Sequence, residues 1–198
     1  MTNRILFAAA LALLPSAALA QAAEAPAAPA ATAEDLVHVA LETGAGRIVL
    51  ALDRGRAPIT TANFLHYVDS GKLNGESFYR AMPYGNGGLV QGGITSDGRK
   101  LAKPIAHEPP SATGLSHKRG SIAMANVGPG TARADFFILT TDIPAFDASF
   151  AVFGRVIEGM DVVEKILASP VSATKGEGAL KGQMLDPVVK ITKAARVN

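Results

Sequence analysis

The chain has 198 residues and a formal net charge of +2, from 19 Lys and Arg against 17 Asp and Glu. That length favours one domain with a substantial core. The near balance of charge, with no run of like sign, excludes the basic face of a nucleic-acid binder. Cysteine is absent, which removes disulfides, thiolate nucleophiles and cysteine zinc sites.

In chain order, Met1–Arg4 carries one positive charge, Ile5–Leu14 is an unbroken apolar run, and Ala18-Leu19-Ala20 is a small-x-small site before Gln21. These are the three parts of a secretory signal peptide, expected over 1–20 and removed after Ala20. Pro15 interrupts the apolar run, which is shorter than a spanning helix needs. The mature chain is therefore expected in the periplasm without stable membrane insertion. Residues 21–34 are mostly Ala and Pro and read as a flexible spacer. The folded domain is expected over 35–198.

Within it, Val37, Val39 and Leu41 alternate with His38, Ala40 and Glu42. After the turn Thr43-Gly44-Ala45-Gly46, Ile48, Leu50 and Leu52 resume the alternation, which predicts a β-hairpin. Pro58–Tyr67 reads as a helix, with Ile59, Ala62, Phe64 and Leu65 at helical spacing and Gly71 as a stop. Phe78–Met82 is a short strand before a glycine-rich loop, Tyr84–Gly88. Further strands are expected at Leu89–Gln91, Ser121–Ala125, Phe136–Thr140, Ala151–Val156 and Val188–Thr192, with a second short helix at Val162–Leu167. Many short strands and two isolated helices point to a mainly β domain, either a sandwich or a closed barrel capped by helices.

Several chemistries are set aside on motif grounds. Gly85-Asn86-Gly87-Gly88 lacks the strand–GxGxxG–helix setting of a dinucleotide site, and no P-loop lysine follows it. No GxSxG elbow is present. His38, His66, His107 and His117 show no metal-ligand spacing, so neither a metal nor a cofactor is expected.

An ordered set of segments remains. Phe78-Tyr79-Arg80-Ala81-Met82-Pro83 is followed by Gln91-Gly92-Gly93, then Gly120–Asn126 with Gly128-Pro129. Asp135-Phe136-Phe137-Ile138, Phe150–Val156 and Glu158–Val163 come after. In that order and spacing they resemble the cyclophilin family of peptidyl-prolyl cis-trans isomerases, from about Val37 to the C-terminus. The resemblance implies a closed eight-stranded antiparallel barrel with a helix at each end, packed inside, with the substrate groove on its outer face.

The reaction it implies rotates the Xaa–Pro C–N bond, whose resonance gives a barrier of about 18–20 kcal/mol. No covalent bond forms or breaks. A fixed cation beside the proline nitrogen favours the twisted amide, whose nitrogen has regained a lone pair. By resemblance that cation is Arg80, with Gln91 holding the guanidinium and contacting the substrate backbone. Ala125, Asn126 and Val127 pair with the substrate main chain, and Leu89, Phe137, Phe146 and Phe150 build the proline pocket.

Some positions depart from the family pattern. The stretch between Pro83 and Gln91 is longer than usual, and Gly88 falls where an aromatic pocket residue is expected, leaving that wall to Tyr84 or to nothing. Asp135 stands for the usual glutamine; its carboxylate either orients Arg80 by an ion pair or partly neutralises it, and orientation is favoured. Ala145 occupies the place of the tryptophan that binds cyclosporin, and Phe150 that of a common histidine. The expected partners are Pro-containing unfolded or flexible polypeptides, met by a monomer during folding of exported proteins. A module that holds such segments with little turnover is the competing reading. Retention of Arg80 and Gln91 favours the enzyme.

Overall fold

The computed structural model describes residues 35–198; the expected signal peptide and spacer lie outside the described residues. Eight antiparallel strands close into a barrel. They are β1 Leu36–Thr43, β2 Gly46–Asp53, β3 Ser77–Tyr84, β4 Gly87–Gly93, β5 Ser121–Met124, β6 Phe136–Leu139, β7 Ala151–Glu158 and β8 Met184–Val197. The spatial order is β1-β2-β7-β5-β6-β4-β3-β8, with β8 returning to β1. Closure pairs the backbone edges that a sandwich would leave open.

Period-2 alternation sorts the strand residues into two apolar sets. Val39, Leu41, Ile48, Leu50, Val90, Ile122, Phe136 and Ile138 fill the barrel and are inaccessible to solvent. Leu89, Ala123, Phe137, Leu139 and Val152 alternate with them and form a second cluster on the outer wall of β4, β6, β5 and β7. Burying each large apolar side chain contributes about 1.5–3 kcal/mol. Helix α1, Pro58–Asp69, drives Phe64 against Phe136 and Phe153, with ring centroids 5.2 and 5.3 Å apart. A one-turn helix, α2, spans Pro110–Thr113, and α3, Met160–Leu167, adds Val163 and Ile166 to the interior core.

Helix α1 starts at Pro58, but Ala57 has no side chain to cap it. Glu108 takes that role from far along the chain. Its carboxylate accepts from the Ile59 N–H at 3.1 Å and the Thr60 N–H at 2.7 Å. A negative charge there also complements the helix dipole. The buried face of α1 is rotated from the expected one. Phe64 and Leu65 are buried, but Ile59 and Ala62 are exposed. Polar residues with partners take their place inward: Asn63 donates to the Arg133 carbonyl at 2.6 Å and Thr61 to the Asp53 carbonyl at 3.2 Å.

Three further expectations change. The glycine-rich loop is the end of a β3–β4 hairpin, in which Pro83 pairs with Gly88 and Tyr84 with Gly87, leaving Gly85-Asn86 as the turn. The final strand runs over Met184–Val197, beyond the expected Val188–Thr192. Its pattern is concealed by a register shift against β3, where Phe78 pairs with Val189 but Arg80 with Met184. The helix count among the described residues is three, because α2 is too short to show a periodic face.

Candidate active site

The site is built on the outer wall around a bulge in β3. Phe78 pairs with Gly92 and Arg80 with Gln91, so Tyr79 is an extra residue in the ladder. Phe78 and Ala81 both point into the barrel core. Strict alternation cannot place two residues three apart on the same face; the bulge does, and it turns both Tyr79 and Arg80 away from the core.

Arg80 is braced from two sides. Its Nε donates to Gln183 Oε1 at 2.8 Å and its Nη1 to Gln91 Oε1 at 2.9 Å. Nη2 lies 3.3 Å from Met82 Sδ. Burial pulls the guanidinium below the usual arginine range, with Tyr79 opposing the shift; an arginine keeps its charge regardless. Gln91 in turn donates from Nε2 to the Tyr79 hydroxyl at 2.7 Å, and that hydroxyl donates to Asp135 Oδ2 at 3.2 Å. Asp135 therefore does not reach Arg80, and no ion pair joins them among the described residues. The expected direct orientation of Arg80 by Asp135 is corrected: the tyrosine stands between. Burial pushes the Asp135 carboxyl above its ordinary range, offset in part by the Tyr79 hydroxyl. Burial and the Asp135 charge push the Tyr79 phenol well above its ordinary range.

Beside this group Phe137, Phe146 and Phe150 form an aromatic socket, with Leu89 in the same cluster. The Phe137 ring lies 5.8 Å from Phe146 and 5.2 Å from Phe150, and the latter two are 5.1 Å apart. Buried His117 stacks on Phe137 at 5.9 Å. Its Nδ1 donates to Asp147 Oδ1 at 2.6 Å, and its main-chain N–H reaches the same oxygen at 2.9 Å. The Asp147 link ties the segment before β5 to the 3-10 turn Pro144–Ala148 that carries Phe146. Burial lowers the imidazole below its ordinary range, against the pull of Asp147.

Tyr84 does not complete the socket. It is half exposed at the hairpin end. Nor is there room for an aromatic at Gly88, where a Cβ would sit 2.1 Å from the Met82 carbonyl oxygen.

Ala125, Asn126 and Val127 run beyond β5 with Val127 98% exposed. The Asn126 side chain holds the segment open: Nδ2 donates to the Ser149 carbonyl at 2.9 Å and Oδ1 accepts from the Gly128 N–H at 3.0 Å. Its own main-chain N–H and C=O make no hydrogen bond among the described residues. A cavity of about 220 Å³ lies on this side, lined by Gln91, Ala125, Asn126, Val127, Arg133 and Asp135 and not by the three phenylalanines. Among the described residues no three His, Asp or Glu side chains group as metal ligands, and no helix is long and apolar enough to cross a membrane.

All ten residues expected from the sequence thus fall on one wall, in a socket, a braced cation and an exposed main-chain segment. Tyr79, Gln183 and His117 join them and were not foreseen. Tyr79 adjoins Arg80, but alternation assigns neighbours to opposite faces. Gln183 is 103 residues away. His117 shows no signal beyond being a histidine.

The site is thus an aromatic socket and a braced guanidinium on the outer wall of a filled eight-stranded barrel. Residues 38–195 match the family model described as "Cyclophilin type peptidyl-prolyl cis-trans isomerase/CLD". The chain is 42% identical over 139 residues to peptidyl-prolyl cis-trans isomerase A of Dickeya dadantii, covering 65% of this chain and 70% of that protein. It is 38% identical over 143 residues to a peptidyl-prolyl cis-trans isomerase of Acinetobacter baylyi, covering 68% and 73%. In fold it is similar to a cyclophilin type peptidyl-prolyl cis-trans isomerase of Cryptosporidium parvum, with TM-score 0.70 and 21% identity over 82% of this chain and 98% of that one. A structure of that protein in the presence of the dipeptide Ala-Pro gives TM-score 0.69 over 81% and 99%, also at 21% identity. The chain belongs to the cyclophilin-type peptidyl-prolyl cis-trans isomerases. It is an isomerase of Xaa–Pro peptide bonds.

Proposed function

We propose that Arg80 is the catalytic cation and that the substrates are Pro-containing segments of exported polypeptides. The observation that carries the first part is the bracing of one guanidinium at both Nε and Nη1 beside the phenylalanine socket. Arginine has five N–H donors. Those two bonds and the Met82 contact leave one on each terminal nitrogen for the substrate. The proline ring enters the socket of Phe137, Phe146, Phe150 and Leu89. The preceding residues pair with the free main-chain groups of Asn126, a contact that reads backbone and tolerates many sequences. As the amide twists, its nitrogen gains a lone pair that the guanidinium stabilises and the planar ground state lacks. That is differential binding of the transition state. An Arg80→Ala enzyme with near wild-type turnover and intact fold defeats this reading.

Residues 1–20 support a periplasmic setting on composition, with 21–34 as a tether and the enzyme acting as a monomer. Mass spectrometry of envelope fractions is expected to find a chain starting at Gln21. An intact Met1-containing form in the membrane contradicts it.

A further inference from the structure

One polar group at the site has no part in the mechanism above. The Tyr79 hydroxyl accepts from Gln91 Nε2 at 2.7 Å and faces Asp135 Oδ2 at 3.2 Å. A phenol owns one proton, and an ionised carboxylate only accepts. The proton therefore goes to Asp135, and the hydroxyl's lone pair is left for the Gln91 amide. With Nε2 committed to Tyr79, the Gln91 carbonyl oxygen is left for Arg80 Nη1 at 2.9 Å. The reverse amide orientation would set two donors against each other. Asp135 is held in place by close packing: a Cβ on Gly93 would lie 2.0 Å from its Oδ1.

We propose that Tyr79 is a positioning residue of the isomerase, through which ionised Asp135 fixes the direction of the hydrogen bonds that run through Gln91 to Arg80. This rests on Arg80 being the catalytic cation.

Protonation of Asp135 removes the acceptor-only end of the chain. A carboxylic acid can donate to Tyr79, and the phenol proton then faces the Gln91 NH2, donor against donor; the bond from Gln91 to Tyr79 is lost and the amide that holds Arg80 is no longer anchored. Burial raises the Asp135 carboxyl, so this occurs above the ordinary aspartate range as pH falls. The charged and titratable groups around Asp135 are Tyr79 and Arg80 on β3 and Arg133 on its own segment, whose Nε is bonded to the Ala102 carbonyl at 2.8 Å. In the 94–101 segment, Asp97 pairs with Arg99 and Lys100 with Glu76.

The test measures kcat and KM from neutral to acid pH for the wild type, Tyr79→Phe, Asp135→Asn, the double variant and Arg80→Ala. At neutral pH Tyr79→Phe is expected to lose about three- to tenfold in kcat/KM, the worth of one hydrogen bond, mostly in kcat. The acid-side fall of the wild type should disappear in Tyr79→Phe and Asp135→Asn, and the double variant should be no worse than the weaker single one. Full activity in Tyr79→Phe, an acid fall that survives in Asp135→Asn, or strictly additive losses overturns the proposal. Should Tyr79→Phe not fold, the Asp135→Asn profile decides alone. Arg80→Ala separates the two claims. If it is inactive while Tyr79→Phe is fully active, only the positioning role fails; if it is active, the arginine reading itself fails.

Discussion

Replacing Gln183 by alanine removes one of the two oxygen acceptors that hold the Arg80 guanidinium, the 2.8 Å bond at Nε. The backbone should survive the change, because the Gln183 carbonyl still accepts from the Ala81 N–H at 2.8 Å and anchors the segment to β3. What is lost is orientation. A hydrogen bond to a charged group in a protected place contributes about 1.5–3 kcal/mol, and an ordinary one about 0.5–1.5. Arg80 and Gln183 are each half-buried, so water can replace part of the bond and the lower range applies. About 1 kcal/mol of transition-state positioning corresponds to roughly fivefold in rate. Gln183→Ala is therefore expected to lower kcat/KM of a fluorogenic Xaa–Pro peptide about three- to tenfold, with the melting temperature little changed. Gln183→Glu keeps the acceptor and should retain more activity than the alanine variant. A Gln183→Ala enzyme within measurement error of the wild type, with Nε left to solvent, would refute the bracing argument.

Gly88→Ala should cost about 1–3 kcal/mol in urea unfolding, because its Cβ meets the Met82 carbonyl at 2.1 Å and the hairpin must shift; an unchanged midpoint counts against the tight pairing. Burial opposes ionisation of Glu76, but Lys100 at 2.7 Å, the Ser96 hydroxyl and the Thr95 N–H outweigh it and hold the carboxyl below its ordinary range. A depressed folded-state value stabilises the fold above the unfolded carboxylate range, and the contribution is lost as pH falls through the folded value. Lys100→Ala should thus move the onset of acid unfolding to higher pH; an onset that stays put contradicts the pairing. Ala145 offers cyclosporin neither an indole N–H nor an aromatic face, so Ala145→Trp is expected to tighten inhibition about tenfold or more. Equal, tight inhibition of both proteins would show that another side chain fills the gap.

The legible parts of the fold were those with unbroken alternation or a marked terminus. Val39 and Leu41 opposite Ile48 and Leu50 announce the first hairpin, and Pro58 announces α1. Periodicity left sandwich and barrel open, because closure depends on β8 pairing with both β1 and β3. No local pattern encodes that. At the site, Arg80, Gln91 and the phenylalanines were legible through motif resemblance, which fixes identity and order. Their supports were not. The β3 bulge breaks the period that would place Tyr79, and Gln183 arrives from the far end of the chain. Asp135 was recognised as a departure at the site. Its partner was mistaken, since the phenol that intervenes is invisible without the bulge.

The central claim is that Arg80 stabilises the twisted amide. The most direct measurement is NMR exchange between cis and trans forms of one Pro-containing peptide, with catalytic amounts of enzyme and peptide affinity determined in the same samples. Uncatalysed exchange takes tens to hundreds of seconds, so catalysis is read without a coupled protease. Arg80→Ala should bind the peptide within a few-fold of the wild type yet lose on the order of a hundredfold or more in exchange rate. Arg80→Lys should also be poor, because an ammonium cannot be braced at two edges of a planar fork. Wild-type exchange in the folded Arg80→Ala protein would contradict the account.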